Sequence, residues 1–414
     1  MYKHVMDDAK RCLRCKNPTC SGGCPVQTPI RDAIALLLDS RLPEAGAMLF
    51  NNNPLSLVCC HVCPQESQCE GHCVLAKTGS SVHISAIEKY ISDYYLNIMR
   101  PTSSQKTAGN VAIVGSGPAG ITLSFLLSQL NYDITLYDAN DLIGGVLRYG
   151  IPEFRLHKHI LDRLTERLVE SGVTIRPNTR IGNNITVDDL FRDGFDAIFL
   201  GTGVWKPSRM NIHGESLGNV HYAIDYLRNP DVYRLGKSLL VVGAGNVAMD
   251  VARTAMRHGS ENVTILSSLG ERSVSARLVE RQYAQIDGAR LMMNRTVVRF
   301  TPKGAILAET DLSREDTIAP LPDTEELFPT DSVIIAIGQG PRSTIVSTTT
   351  GIDVTDKGLV AVDDCGRTSR EGIFASGDVV TGAKTVVEAV KVSKKVAEAM
   401  DAYIQTKRGK TYAS

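Results

Sequence analysis

Nine of the ten cysteines in this 414-residue chain lie before residue 74. They form two runs, Cys12-x2-Cys15-x4-Cys20-x3-Cys24-Pro25 and Cys59-Cys60-x2-Cys63-Pro64-x4-Cys69-x3-Cys73, and only Cys365 stands outside them. Thiols this dense are committed either to disulfides or to metal. Either commitment dictates how the first quarter of the chain can fold.

Disulfides are disfavoured. The opening residues Met1 to Asp8 contain no apolar core of a secretory signal. No apolar run approaches the length needed to span a bilayer, so no membrane association is expected. A cytoplasmic location is expected, and there thiols stay reduced. Zinc and iron–sulfur remain. Zinc sites usually present paired C-x2-C units, whereas a proline follows Cys24 and Cys63 here. The pattern is close to the ferredoxin run C-x2-C-x2-C-x3-C-P, whose last cysteine ligates the other cluster. Thiolates suit both metals, so spacing alone leaves a zinc-stapled helical cap open. The redox context downstream favours iron–sulfur.

Lys plus Arg equals Asp plus Glu at 45 each, which gives no electrostatic footprint for nucleic acid. The length predicts about three domains. Residues 1–105 read as helical between the cysteines, with helical apolar spacing over 30–37 and 84–95. The polar stretch 101–109 reads as a linker.

The texture then changes. The apolar strand 111–114 runs into Gly115-Ser-Gly117-Pro118-Ala119-Gly120, a helical stretch to residue 129, a second strand 134–137 and then Asp138. Strand, glycine turn, helix, strand and acid together make the dinucleotide fingerprint. The glycines permit a tight turn and close approach to a pyrophosphate, the helix N-terminus supplies N–H groups, and the acid bonds a ribose hydroxyl. The pattern recurs: strand 239–242, Gly243-Ala-Gly245-Asn246-Val247-Ala248, a helix to residue 256 and a strand 263–266. Ala248 replaces the third glycine, which the fingerprint allows. The position matching Asp138 falls near Ser267, with no acid there. Late in the chain, 332–338 reads as a buried strand ending in Gly338, and 372–378 repeats the strand-then-turn form before a helix over about 384–403. Two nucleotide folds with a late return segment imply one inserted in the other. The expected fold class is α/β: an N-terminal α-helical iron–sulfur domain followed by two Rossmann-like domains, disulfide-reductase-like, the second inserted in the first. The expected boundaries are 1–105 for the helical domain, 106–235 with 338–414 for an FAD domain, and 236–337 for an NAD(P) domain.

The cysteine spacing, the segment 144–156 (GGVLRYGIPEFRL) and the segment 373–378 (IFASGD) resemble the FAD and iron–sulfur electron-input subunits of the glutamate synthase small-subunit family. That family includes the NAD-binding subunits of bacterial dihydropyrimidine dehydrogenases, which the length most resembles. The resemblance covers essentially the whole chain. It implies FAD at the first fingerprint, with Gly145, Leu147, Gly203, Gly377, Asp378, Thr385 and Val386 also at the flavin. Asp378 would bond the ribityl chain or phosphates. Thr385 and Val386 would place N–H groups at the flavin pyrimidine edge, at a helix N-terminus that favours negative charge. It implies a nicotinamide nucleotide at the second fingerprint, with Ser267, Ser268, Arg272 and Gly338 near it. It implies two 4Fe–4S clusters, one on Cys12, Cys15, Cys20 and Cys73, the other on Cys24, Cys63, Cys69 and Glu88. Cys59 and Cys60 are then spare, and Cys60 is the substitute ligand if Glu88 fails.

A nicotinamide delivers hydride, clusters take single electrons, and a flavin does both, so no acid–base pair in the protein is required. The chain carries no evident site for pyrimidine or glutamate chemistry, so the expected partner is a separate catalytic subunit that accepts the electrons. A free-standing NAD(P)H oxidoreductase reducing ferredoxin, quinone or another small acceptor, and a non-enzymatic redox sensor, are the competing readings; two intact fingerprints argue against the sensor. No C-x4-C follows Gly145 and no C-x2-C lies in the second nucleotide domain, which disfavours thioredoxin-reductase-like chemistry. NADPH-using relatives grip the 2′-phosphate with two arginines where this chain has Ser268 and Leu269. NADH is therefore the expected nucleotide, with Arg272 the residue that would reverse the preference.

Overall fold

A computed structural model describes residues 2–100, 106–271, 274–312 and 319–412. The chain forms two compact units, one of residues 1–148, 153–204 and 341–414, the other of 149–152 and 205–340.

The first unit opens with helices Tyr2–Lys10, Ile30–Leu38, Leu42–Asn52, Ser56–Val62 and Ile84–Ile98. Their apolar faces close a core around Val5, Ile34, Leu37, Leu49, Ile87 and Ile91, with Cys12, Cys20, Cys69 and Cys73 packed at its edge. The helices over 30–37 and 84–95 follow from the apolar spacing. The linker residues 101–105 lie outside the described residues.

The same unit contains a five-stranded parallel sheet in the order Ile373–Ala375, Ala197–Leu200, Gly109–Val114, Tyr132–Tyr137, Thr174–Arg176. Its central strands are continuous apolar runs because both faces are covered. Helix Pro118–Gln129 follows the first fingerprint and is buried along nearly its whole length, being packed against the last helix, Val386–Tyr412. The Phe50 ring from the cysteine segment meets Phe125 of that helix, and Lys394 Nζ donates to the Asn52 carbonyl at 2.9 Å.

The second unit has its own parallel sheet in the order Val220–Tyr222, Ser332–Ile335, Ser238–Val242, Asn262–Leu266, Arg290–Met292. An antiparallel sheet of Arg295–Thr301, Gly304–Glu309 and Glu326–Pro329 packs beside it around Phe300 and Leu307. The second nucleotide fold is inserted in the first, as the sequence order implies. It takes up the chain from residue 205 rather than 236, because the edge strand Val220–Tyr222 pairs with Ser332–Ile335. Among the described residues no helix is long and apolar enough to cross a membrane.

Candidate functional site

The cysteines sort into two neighbourhoods. Burial pushes the Cys20 thiol up, and Cys73 and Cys12 are the charges it feels. Cys15 sits half-buried in the loop that carries Cys12. A hydrogen bond with Cys59 and then burial push Cys63 well up, with Glu88 and Cys24 among its neighbours. Burial pushes Cys69 up, followed by the charges of Glu88, Glu70 and Cys24. Cys20 thus feels Cys12 and Cys73, and Cys63 and Cys69 feel Cys24 and Glu88, although among the described residues no three of His, Cys, Asp and Glu are arranged to hold a single metal ion. Thiols held back from ionising by burial fit a cationic iron core, which stabilises thiolates.

Glu88 lies on the helix Ile84–Ile98. The residue keeps a partly exposed surface, yet its carboxyl is packed closely enough that burial, helped by Glu70, pushes it up to about 8. Glu70 accepts from the Ser85 amide at 2.9 Å and hydroxyl at 2.7 Å, whereas no hydrogen bond to the Glu88 carboxyl occurs among the described residues. A carboxyl without a donor, whose charge Cys60, Cys63 and Cys69 all feel, has the chemistry of a ligand. Cys60 donates to the Leu57 carbonyl at 2.9 Å, and Cys59 accepts from Asn53 Nδ2 at 3.3 Å. Both are buried.

At the first glycine turn, Gly115 holds φ +101°, and a Cβ there would sit 2.4 Å from the Gly201 carbonyl. A Cβ at Gly120 would meet the Gly115 carbonyl at 1.9 Å, whereas one at Gly117 would meet nothing within 4 Å. Two glycines therefore serve the turn and Gly117 leaves open space beside the helix N-terminus, where a pyrophosphate is bound in such motifs. Pro118 and Ala119 begin that helix. Gly145 packs on Gly117, its Cβ position 2.7 Å from the Gly117 Cα, and Leu147 is fully buried. Asp138 is buried and accepts from the Ser116 amide at 2.9 Å and the Asn140 amide at 2.8 Å. It thereby ties the second strand back to the glycine turn. Gly203 follows the strand Ala197–Leu200 with φ +69°.

Gly377 and Asp378 follow the strand Ile373–Ala375, Asp378 opening the short helix Asp378–Thr381. Burial pushes the Asp378 carboxyl up to about 6 against the lowering effect of the Lys384 amide, which donates to it at 3.2 Å. Thr385 and Glu388 form a capping box at the start of the last helix: the Thr385 amide donates to Glu388 at 3.0 Å, and the Glu388 amide reaches the Thr385 hydroxyl at 3.4 Å. The Thr385 N–H is thereby engaged within the chain. The Val386 N–H, the next along, makes no described hydrogen bond. A cavity of about 360 Å³ lies between Gly22, Gly23 and Pro25 on one side and Asp378, Thr381, Lys384, Glu388 and Lys391 on the other.

In the second unit, Gly243 holds φ +119° with its Cβ position 2.4 Å from the Ala336 carbonyl, and Gly245 faces only the Ser275 hydroxyl at 3.4 Å. Asn246, Val247 and Ala248 start the helix Asn246–Arg257. Asn246 Oδ1 accepts from the Arg277 amide at 3.0 Å, and the Ala244 carbonyl accepts from the Ala276 amide at 3.1 Å. The loop 275–277 thus covers the glycine turn. Sequence reading missed it, since only tertiary contact brings it there. The Ser267 hydroxyl donates to the Leu269 carbonyl at 2.8 Å, so it braces the turn after the strand. Ser268 is half-buried and Leu269 exposed. Gly338 has φ +111° beyond the strand Ser332–Ile335. Arg272 lies outside the described residues.

Residues 109–393 match the family model of the pyridine nucleotide-disulphide oxidoreductases, and residues 1–99 match that of the dihydropyrimidine dehydrogenase domain II, 4Fe-4S cluster. The chain is 33% identical over 425 residues to the glutamate synthase [NADPH] small chain of Halomonas elongata, covering 96% of this chain and 90% of that one. The chain belongs to the glutamate synthase small-subunit family. It is an FAD-dependent NAD(P)H oxidoreductase with an iron–sulfur domain, and its cofactors are FAD, a nicotinamide nucleotide and 4Fe–4S clusters. It is also similar to the NAD-dependent dihydropyrimidine dehydrogenase subunit PreT of Salmonella typhimurium, 31% identical over 411 residues, covering 97% of this chain and 94% of that one. Among solved structures it shares the fold of Mycobacterium tuberculosis FprA in complex with NADPH (TM-score 0.63, 16% identity, 73% of this chain and 86% of that chain). It also shares that of the thioredoxin reductase of T. acidophilum (TM-score 0.56, 21% identity, 70% and 97%). This family member carries one cysteine beyond Cys73, Cys365, and so has no second thiol there for disulfide exchange.

Proposed function

We propose that this protein is an electron-input subunit, oxidising NADH and delivering the electrons through FAD and two 4Fe–4S clusters to a separate catalytic subunit in the cytoplasm. The cavity between Gly22–Pro25 and Asp378–Lys391 carries the proposal, because it sets the loop between Cys20 and Cys24 directly against the segment that ends the first nucleotide fold. The FAD site is proposed at Gly115, Gly117 to Gly120, Asp138, Gly145, Leu147, Gly203, Gly377, Asp378 and Val386. The nucleotide site is proposed at Gly243, Gly245 to Ala248, Ser267, Ser268 and Gly338. FAD, when bound, exchanges a hydride for single electrons.

The chain's own residues bind and orient. Gly117 and Gly245 leave room for pyrophosphates, and the helix N-termini at Pro118 and Asn246 face negative charge. The Val386 N–H supplies a donor at the start of a long helix. Thr385 is proposed beside it at the flavin edge, its N–H engaged by Glu388 in this structure. One cluster is proposed on Cys12, Cys15, Cys20 and Cys73, the other on Cys24, Cys63, Cys69 and Glu88.

Anaerobic purification tests this reading. Protein carrying both clusters contains about eight iron and eight labile sulfide per chain, and NADH bleaches the flavin and then reduces the clusters. A co-purifying catalytic subunit supports the input role, whereas full turnover with a quinone or dye and no partner supports a free-standing oxidoreductase. Stoichiometric zinc without sulfide refutes the cluster assignment. Glu88→Ala alters one cluster's electron paramagnetic resonance signal; an unchanged signal there together with a lost cluster in Cys60→Ala moves the eighth ligand to Cys60.

A further inference from the structure

Between Ala9 and Arg31 the sequence contains five Lys or Arg and no Asp or Glu, within a chain whose formal net charge is zero. That same stretch carries Cys12, Cys15, Cys20 and Cys24. Three of its cations are answered from just outside it: Lys10 by Asp7 at 4.0 Å, Arg11 by Asp8 at 2.5 Å, and Arg31 by Asp32 at 2.8 Å. Arg14 and Lys16 are exposed and have no ion pair among the described residues. Between Cys12 and Arg14, Leu13 is 61% exposed. Arg14 holds φ +48°, a left-handed conformation unfavourable for a non-glycine residue. Lys77, exposed a few residues past Cys73, adds a further cation without an ion pair. An exposed apolar side chain rimmed by unanswered cations, in the loop between two of the thiols assigned to one cluster, is the composition of a docking rim with an apolar centre.

We propose that the loop Leu13–Lys16 is the port through which electrons leave this chain, and that it docks a protein acceptor whose carboxylates ring its own redox centre. The inference rests on the electron-input reading and specifies its partner's surface chemistry. Leu13 supplies the apolar contact, while Arg14 and Lys16 steer the acidic face. A bland alternative gives the same cations a different task, offsetting the negative charge of a thiolate-bound cluster.

Paired probes of opposite charge separate these. Fully loaded protein is reduced with NADH and mixed with acidic cytochrome b5 or basic cytochrome c. Each NADH yields NAD⁺, a proton and two electrons, so two ferric haems become ferrous per NADH. Arg14→Glu with Lys16→Glu slows cytochrome b5 reduction at low salt by at least about tenfold, flattens its dependence on ionic strength and speeds cytochrome c reduction. Leu13→Ser slows cytochrome b5 reduction without changing the salt dependence. Flavin bleaching by NADH and the cluster resonance signals and midpoint potentials stay as in the wild type. An unchanged cytochrome b5 rate in the double variant overturns the port. A slower rate accompanied by a shifted cluster potential also overturns it, and assigns the cations to the cluster's charge. Wild-type clusters that NADH fails to reduce at all refute the electron-input reading itself, independently of the loop.

Discussion

The Phe50 ring meets the Phe125 ring edge-on, with centroids 5.1 Å apart and planes at 81°. Phe50 belongs to the cysteine segment and Phe125 to the helix behind the first glycine turn, and both are buried. Phe50→Ala should lower stability by about 3 kcal/mol or more. A double-mutant cycle with Phe125→Leu should return a coupling of roughly 0.5–1.5 kcal/mol. Denaturant unfolding followed by flavin and by cluster absorbance checks this; a coupling near zero would mean that the two parts are joined elsewhere.

The glycines of the two turns should separate by phenotype. Gly117→Ala meets no protein atom within 4 Å, so the variant should fold with an unchanged melting point yet lose FAD affinity by about tenfold or more, the methyl standing where the pyrophosphate approaches. Gly115→Ala should lower the melting point of the FAD-free protein, because its φ of +101° and the Gly201 carbonyl at 2.4 Å both oppose a side chain. Gly245→Val should abolish nicotinamide binding and leave FAD in place. Flavin content and nucleotide titration read each outcome, and loss of FAD in Gly245→Val with nucleotide binding retained would reverse the two site assignments.

Asp378 predicts a pH effect on the FAD-free protein. Burial raises its carboxyl from 3.8 to about 6, so the fold favours the protonated form. That contribution is complete below about pH 4 and is lost as pH rises through about 6. The gap corresponds to roughly 3 kcal/mol. Asp378→Asn should accordingly stabilise the FAD-free protein at pH 8 and have little effect at pH 4. Equal effects at both pH values would mean that Asp378 is ionised in the fold throughout.

Nucleotide preference follows from the turn after the strand Asn262–Leu266. Ser268 is half-buried, Leu269 exposed, and the nearby Arg277 already faces Glu280 at 3.7 Å. With Ser268 and Leu269 in place of a cation pair, and no other cation compensating, a 2′-phosphate forgoes a charge-assisted hydrogen bond worth about 1.5–3 kcal/mol, so NADPH should be poorer than NADH by roughly tenfold or more in kcat/KM. Ser268→Arg with Leu269→Arg should move preference toward NADPH. If the wild type prefers NADPH and Arg272→Ala removes that preference, Arg272 is the selector and the NADH assignment fails.

Local patterns carried most of this fold. Both glycine turns and their helices stand where strand, Gly-x-Gly and periodicity placed them, because each is closed by contacts within some thirty residues. The second unit's boundary was not legible. Val220–Tyr222 is a three-residue edge strand, and nothing local says that it pairs with residues more than a hundred positions later. The loop 275–277 over the second turn was hidden for the same reason. The capping box at Thr385 was legible too. Thr-Val-Val-Glu is a capping-box pattern, and reading it would have assigned that N–H to Glu388 from sequence alone.

The first sheet's edge strand Ile373–Ala375 pairs with Ala197–Leu200, and residues 205–340 of the second unit lie between them in the chain. During synthesis both sheets of the second unit, within residues 205–340, emerge before the first sheet can be closed. The nucleotide fold that begins later in the sequence can thus be completed first, while Ala197–Leu200 waits with one unpaired edge. An apolar strand left open in that way is a template for pairing with other chains. Production of this protein should therefore be most vulnerable to aggregation when elongation stalls between residues 200 and 373, and least so once Ile373–Ala375 has left the ribosome.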